Sequence, residues 1–261
     1  MTSPPYWRWL ASGKHPVASD FFRLGEDAPL LKVFSDWVEK GYQTLISRKK
    51  TITPSVHYAW RFWARGSQKE HIACGVIRDS SDSVGRPYPL LIMGTGPLSG
   101  WEDHWDLLPF ACEKSWSQIE YLSALVANDF KKLEGEVRHI RPPSSDWSDC
   151  GLKKKEIESQ WPSPHTDSSS SSLKEMEGRA SMESGNAESI VYLDPNPMND
   201  QFAQVSLWHH LFKNNGRGAP NALFMGGSLE KACLAIFRRP LGPTDFVRLW
   251  SVSSPAPALS P

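Results

Sequence analysis

The chain has 261 residues, enough to bury one sizeable core or two small ones. Lysine plus arginine equals aspartate plus glutamate at 29 each, so the net charge is zero with histidine neutral. A general nucleic-acid or acidic-membrane binder carries a basic excess, and neither class is expected here. Cys74, Cys112, Cys150 and Cys233 are widely separated and form no C-x-x-C pair, so zinc-knuckle and thioredoxin-type motifs are absent.

Tyr6 to Ala11 alternates large apolar and polar residues and predicts a first strand, broken by Gly13-Lys14-His15-Pro16. Asp20-Phe21-Phe22 follows in a loop. Glu26, Asp27 and Pro29 open a helix on which Leu30, Phe34, Trp37, Val38, Gly41 and Leu45 share one side, and Arg48, Lys49 and Lys50 close it. Acids at the start and bases at the end both suit the helix dipole. Trp60 to Ala64 and Ile72 to Ile77 predict antiparallel neighbours. After a polar loop at Ser80 to Ser83, Tyr88 to Met93 reads as a strand covered on both faces. Gly85 in that connection is free to take a positive φ.

Gly94 to Gly100 reads as a flexible exit, and the spacing from Leu108 to Leu133 predicts one long helix ended by Gly135. Val137 to Ile140 suggests a brief strand. Residues 142–188 are rich in Ser, Pro, Lys, Glu and Gly, with five consecutive serines from Ser168 to Ser172. Such composition predicts a flexible low-complexity insertion, a solvated linker more simply than a phosphorylation site. Ile190 to Leu193, Gln204 to Trp208, Ala222 to Met225 and Cys233 to Phe237 carry the remaining order, the last two as strands. Thr244 or Asp245 caps a last helix with Phe246, Leu249 and Trp250, and 253–261 is a frayed tail. Too few apolar residues follow the insertion for a second core. The expected organisation is therefore a core at 1–141, the insertion at 142–188, and strands and a helix at 189–252 completing the same domain.

No phosphate-binding glycine motif is present, since Gly94-Thr95-Gly96 lacks the third glycine. His209-His210 is the one histidine pair. Read as strand neighbours, the two point to opposite faces and cannot easily share a metal. No G-x-S-x-G elbow occurs. Asp20 and Arg86 stand in loops beside apolar strands, and Arg86 is expected to pair with Asp82 or Asp20 and brace the end of the sheet. Trp7, Trp9, Trp60, Trp63 and Trp208 read as core. Trp101 and Trp105 are core or part of an interface. The N-terminus lacks a signal-peptide apolar region, and no apolar run approaches the roughly 20 residues of a membrane helix. With the dispersed cysteines, this predicts a cytoplasmic protein without membrane insertion.

Three stretches resemble one family. GKHPVASDFF (Gly13 to Phe22), DSVGRPYPLL (Asp82 to Leu91) and SLW (Ser206 to Trp208) resemble, in order, motifs of the TagF (ImpM) proteins associated with bacterial type VI secretion. Ser19, Ser83 and His209 depart from that pattern. The resemblance implies a three-layer α/β/α sandwich with a largely antiparallel or mixed sheet, in a single domain; the long polar insertion is not typical of the family. It further implies no catalytic residue, metal or cofactor, and an accessory regulator that represses secretion by binding a forkhead-associated scaffold protein. The positions it marks as structural or partner contacts are Lys14, Pro16, Asp20, Phe21, Asp82, Gly85, Arg86 and Trp208. Two alternatives stand beside it. One is a small hydrolase or phosphatase using Asp79, Asp82 and a histidine; the other is a structural subunit of the apparatus.

Overall fold

A computed structural model describes residues 6–26, 28–48, 56–125, 130–159, 161, 167–195, 200–216 and 218–252. Its frame is one eight-stranded sheet. The strands are β1 (Arg8–Gly13), β2 (Phe22–Gly25), β3 (Ala59–Arg65), β4 (His71–Arg78), β5 (Leu90–Pro97), β6 (Glu188–Tyr192), β7 (Ala222–Gly227) and β8 (Ala232–Phe237). They lie in the order β2-β1-β5-β4-β3-β7-β8-β6, and every described pairing is antiparallel. The strands after the predicted insertion join the first sheet through β3 and β7, where Phe62 faces Phe224 and Trp63 faces Leu223.

Because side chains alternate along a strand, the sheet feeds two cores. Trp60, Phe62 and Phe224 join one with Phe34, Trp37 and Leu45 of α1 (Pro29–Arg48), and with Phe246 and Trp250. Phe246 and Leu249 are carried by α8 (Pro243–Leu249), with Trp250 its C-terminal cap. Gly41 of α1 is the point of closest approach: a Cβ there would sit 2.3 Å from Cβ of Phe246. Trp9, Trp63, Cys74, Val76, Ile92 and Met225 enter the other core with Trp101, Trp105 and the remaining helices.

Several elements differ from the sequence reading. Gly94 to Pro97 continues β5 rather than forming an exit. The long helix expected from Leu108 to Leu133 is divided into α2 (Leu108–Ala111), α3 (Glu113–Ala124) and α4 (Phe130–Arg138), with Leu125 turning to an extended conformation. Gly135 lies inside α4, and Val137 is helical rather than strand. The 142–188 segment contains α5 (Trp147–Glu158), α6 (Asp167–Glu183) and the first residue of β6. Asp146 caps α5 by accepting a hydrogen bond from the N–H of Asp149, and Cys150, Lys154 and Ala180 are buried. A few anchors hold this polar stretch in place, so composition alone suggested flexibility. The expectation for 253–261 lies outside the described residues. Gln204 to Trp208 belongs to α7 (Gln201–Asn215), which is buried on nearly all sides and so shows no amphipathic period.

The buried Asp82 clamp

The polar centre of the fold lies in the β4–β5 connection. The Asp82 side chain has no exposed surface, yet it meets two cations: Lys14 Nζ lies 3.0 Å from its Oδ2 and Arg86 Nε 2.7 Å from the same oxygen. Its Oδ1 accepts from the backbone N–H of Arg86 at 2.9 Å and of Val84 at 3.2 Å. Burial by itself would raise the Asp82 carboxyl. The hydrogen bonds from Lys14, from backbone and guanidinium of Arg86 and from Val84 outweigh it and hold the group well below the usual carboxylate range.

The same contacts lock two loops together. Arg86 Nη2 donates to the Ser19 carbonyl at 2.8 Å and stands 3.5 Å from Asp20, while the Ser83 N–H donates to the Ala18 carbonyl at 2.9 Å. Both expected partners of Arg86 are therefore present, with Asp82 the closer. Inside the loop, the Gly85 N–H donates to the Asp82 carbonyl at 2.9 Å, closing a turn in which Gly85 has φ +83°. At the other loop, Gly13 has φ +130°, and a Cβ there would fall 2.1 Å from the Pro89 carbonyl oxygen. Only glycine lets β1 end so close to β5.

Around the clamp lies a surface of mixed character. Val84 is 69% and Phe21 50% exposed, and Pro16, Asp20, Gly85 and Arg86 are exposed as well. Phe21 meets Tyr88 edge-on at 5.4 Å, and Tyr88 meets Tyr42 of α1 at 4.9 Å. Tyr42 donates its hydroxyl to the Pro87 carbonyl. Burial, with Glu39 and Tyr42 nearby, pushes the Tyr88 hydroxyl up to about 12. Sequence reasoning did not single out Tyr42 and Tyr88. The four-residue step from Val38 to Tyr42 on a strongly apolar helix was the available signal.

Lys14, Asp20, Phe21, Asp82, Gly85 and Arg86 thus come together, and Pro16 stands in the same loop. Trp208 does not: it is buried in α7, 5.6 Å from Phe212. His209 and His210 are consecutive helical residues, not strand neighbours. His209 is fully buried, accepting from Trp63 Nε1 at 3.3 Å and donating Nδ1–H to the Val205 carbonyl at 2.8 Å. His210 contacts Lys154 instead, at 3.0 Å. The Asp79 oxygens accept from the Tyr58 N–H and from Trp250 Nε1. Among the described residues no histidine hydrogen-bonds Asp79 or Asp82, and no group of three His, Cys, Asp or Glu side chains is arranged to hold a metal ion. No described helix is long and apolar enough to cross a membrane.

The protein is an antiparallel α/β domain in which Asp82 is a structural carboxylate hub. The match is specific: residues 11–139 match the TagF N-terminal domain, described as type VI secretion system-associated. The match spans α1, β3 to β5, α2, α3 and the whole clamp. The fold is similar to that of PA0076 from Pseudomonas aeruginosa PAO1, with 15% identity, 97% of this chain and 98% of that chain covered, and a TM-score of 0.53. No curated protein gave a significant match.

Proposed function

We propose that this type VI secretion accessory protein is a non-enzymatic, cytoplasmic regulator that represses secretion after translation by holding a forkhead-associated scaffold component through protein–protein contact. The single observation that carries this reading is the clamp. A buried ion cluster fixes two loops against one another, and their outer side presents Asp20, Phe21, Val84 and Arg86 in one orientation. A surface ordered before binding loses less conformational freedom on association, so its contacts convert more fully into affinity. Exposed aromatic and arginine side chains are the types enriched among the residues that dominate interface energies. We read the sheet and its two cores as the three-layer sandwich of the family, with the clamp at one end.

The test is co-purification of the tagged protein from a bacterium carrying a type VI system, with mass-spectrometric identification of what is retained. Recovery of the forkhead-associated component by the native protein, and its loss with the surface variants Phe21→Asp and Val84→Asp, is expected. Retention of no secretion component by a folded native protein overturns the proposal.

A further inference from the structure

A cleft of about 630 Å³ opens on the sheet face between the end of α3 and the start of α7, a volume typical of small-molecule sites. Its floor follows from strand register. Arg61 sits between Val76 and Met225 in one cross-strand row, and Arg78 is paired with Ala59 in the next. Ala59 and Ala232 carry too little side chain to fill the space above them, so the floor stays hollow. Glu120 and Ala124 of α3 form one wall, Phe202 and Val205 of α7 the other.

The cleft lining holds two arginines and two carboxylates, equal in number but not all paired with one another. Arg61 is neutralised by Glu120 through two parallel hydrogen bonds of 2.6 and 2.7 Å. Asp200 is turned to its own helix, accepting from the Phe202 N–H at 2.8 Å. Arg78 is different: its side chain donates to the Ser123 hydroxyl at 3.2 Å, and no carboxylate pairs with it among the described residues. That leaves a guanidinium, a fork built for a carboxylate, facing a mostly apolar hollow.

We propose that this cleft binds a small amphiphilic carboxylate, its head on Arg78 and its alkyl or aryl body along Val76, Met225, Val205 and Phe202. The site is separate from the contact surface around Asp82 and stands whether or not that surface binds a scaffold protein. Isothermal titration of the full chain with sodium octanoate, octanol and octylammonium tests the pairing of charge with apolar body. Octanoate should bind at one saturable site, at least tenfold tighter than either control. Arg78→Gln keeps a donor for Ser123 and should lose octanoate affinity at least tenfold. Ala124→Trp, at an exposed position on the rim, should block the mouth without entering the core. Saturable octanoate binding that both variants leave unchanged overturns the proposal, as does equal binding of octanol or no saturable binding of octanoate to a folded chain.

Discussion

Acidification should weaken the fold well before its carboxylates protonate, and His209 is the reason. Its ring has no exposed surface, and its hydrogen bonds specify the neutral form: Nε2 accepts from Trp63 while Nδ1 donates to Val205. A second proton would face the Trp63 N–H, so burial pushes His209 down from 6.5 to about 4. Below pH 6.5 the unfolded chain takes up a proton that the folded chain refuses, so stability falls as pH drops and levels off below about pH 4. Each unit is worth about 1.4 kcal/mol, so the loss reaches about 2 kcal/mol by pH 5 and about 3 kcal/mol across the window. His15 and His210, both lowered chiefly by burial, act in the same direction. The depressed carboxylates Asp82, Asp106 and Asp245 act only below about pH 4, where unfolded aspartate titrates. Urea unfolding of the native chain and of His209→Gln between pH 7 and pH 4 isolates the effect, since glutamine can accept from Trp63 without titrating. The native chain should lose about 3 kcal/mol more than the variant across that range. Parallel loss in the two proteins would refute the reasoning.

The two clamp glycines should differ under the same substitution. Gly85→Ala meets no atom within 4 Å and bears only the strain of φ +83°, about 1 kcal/mol, whereas Gly13→Ala adds a collision with Pro89 and should cost at least about 2 kcal/mol more in urea unfolding. Asp106→Ala removes the carboxylate shared by Lys154 at 2.8 Å and Lys213 at 2.6 Å and leaves two ammonium groups facing each other; a loss of about 3 kcal/mol is expected in thermal unfolding. Asp82→Asn should leave the sheet intact and speed amide exchange in both clamp loops, 14–20 and 80–88. Hydrogen exchange confined to one loop would mean that Asp82 does not join them.

What was legible in the sequence is what local pattern determines. The α1 stripe, the β3–β4 pair, the β7 and β8 runs and the Arg86–Asp82 pairing all follow from spacing or from a charged pair four residues apart. The elements misread are those that other parts of the chain decide. α7 buries Val205 to His209 without interruption because α6, Trp63 and Trp105 enclose it, so its period is invisible. α5 is polar almost throughout and is held by a few groups, Trp147 bonding the Ser99 carbonyl and Lys154 bonding Asp106. Asp146 as a cap ahead of Trp147, Cys150 and Ile157 was the signal available there. Arg78 stood out in no motif, because an unpaired arginine is recognisable only once its neighbours are known.

The clamp and the cleft are built on shared elements. β4 ends at Arg78 and the chain reaches Asp82 four residues later, so the strand that floors the cleft also delivers the clamp carboxylate. On the opposite side His15, one residue beyond Lys14, places Nε2 3.1 Å from the Leu122 carbonyl, while its Nδ1 accepts from the Val17 N–H. Leu122 and the adjoining Ser123, which holds Arg78, belong to the last turn of α3. A shift of that turn therefore acts on the Arg78 side chain and on the loop that carries Lys14 through hydrogen bonds one residue apart. Close packing of Leu122 and Ile119 into the core resists such a shift as a small continuous strain. The two loops and the cleft wall hold their mutual geometry for the same physical reason: buried polar groups at each junction lose a specific partner if any one of them moves.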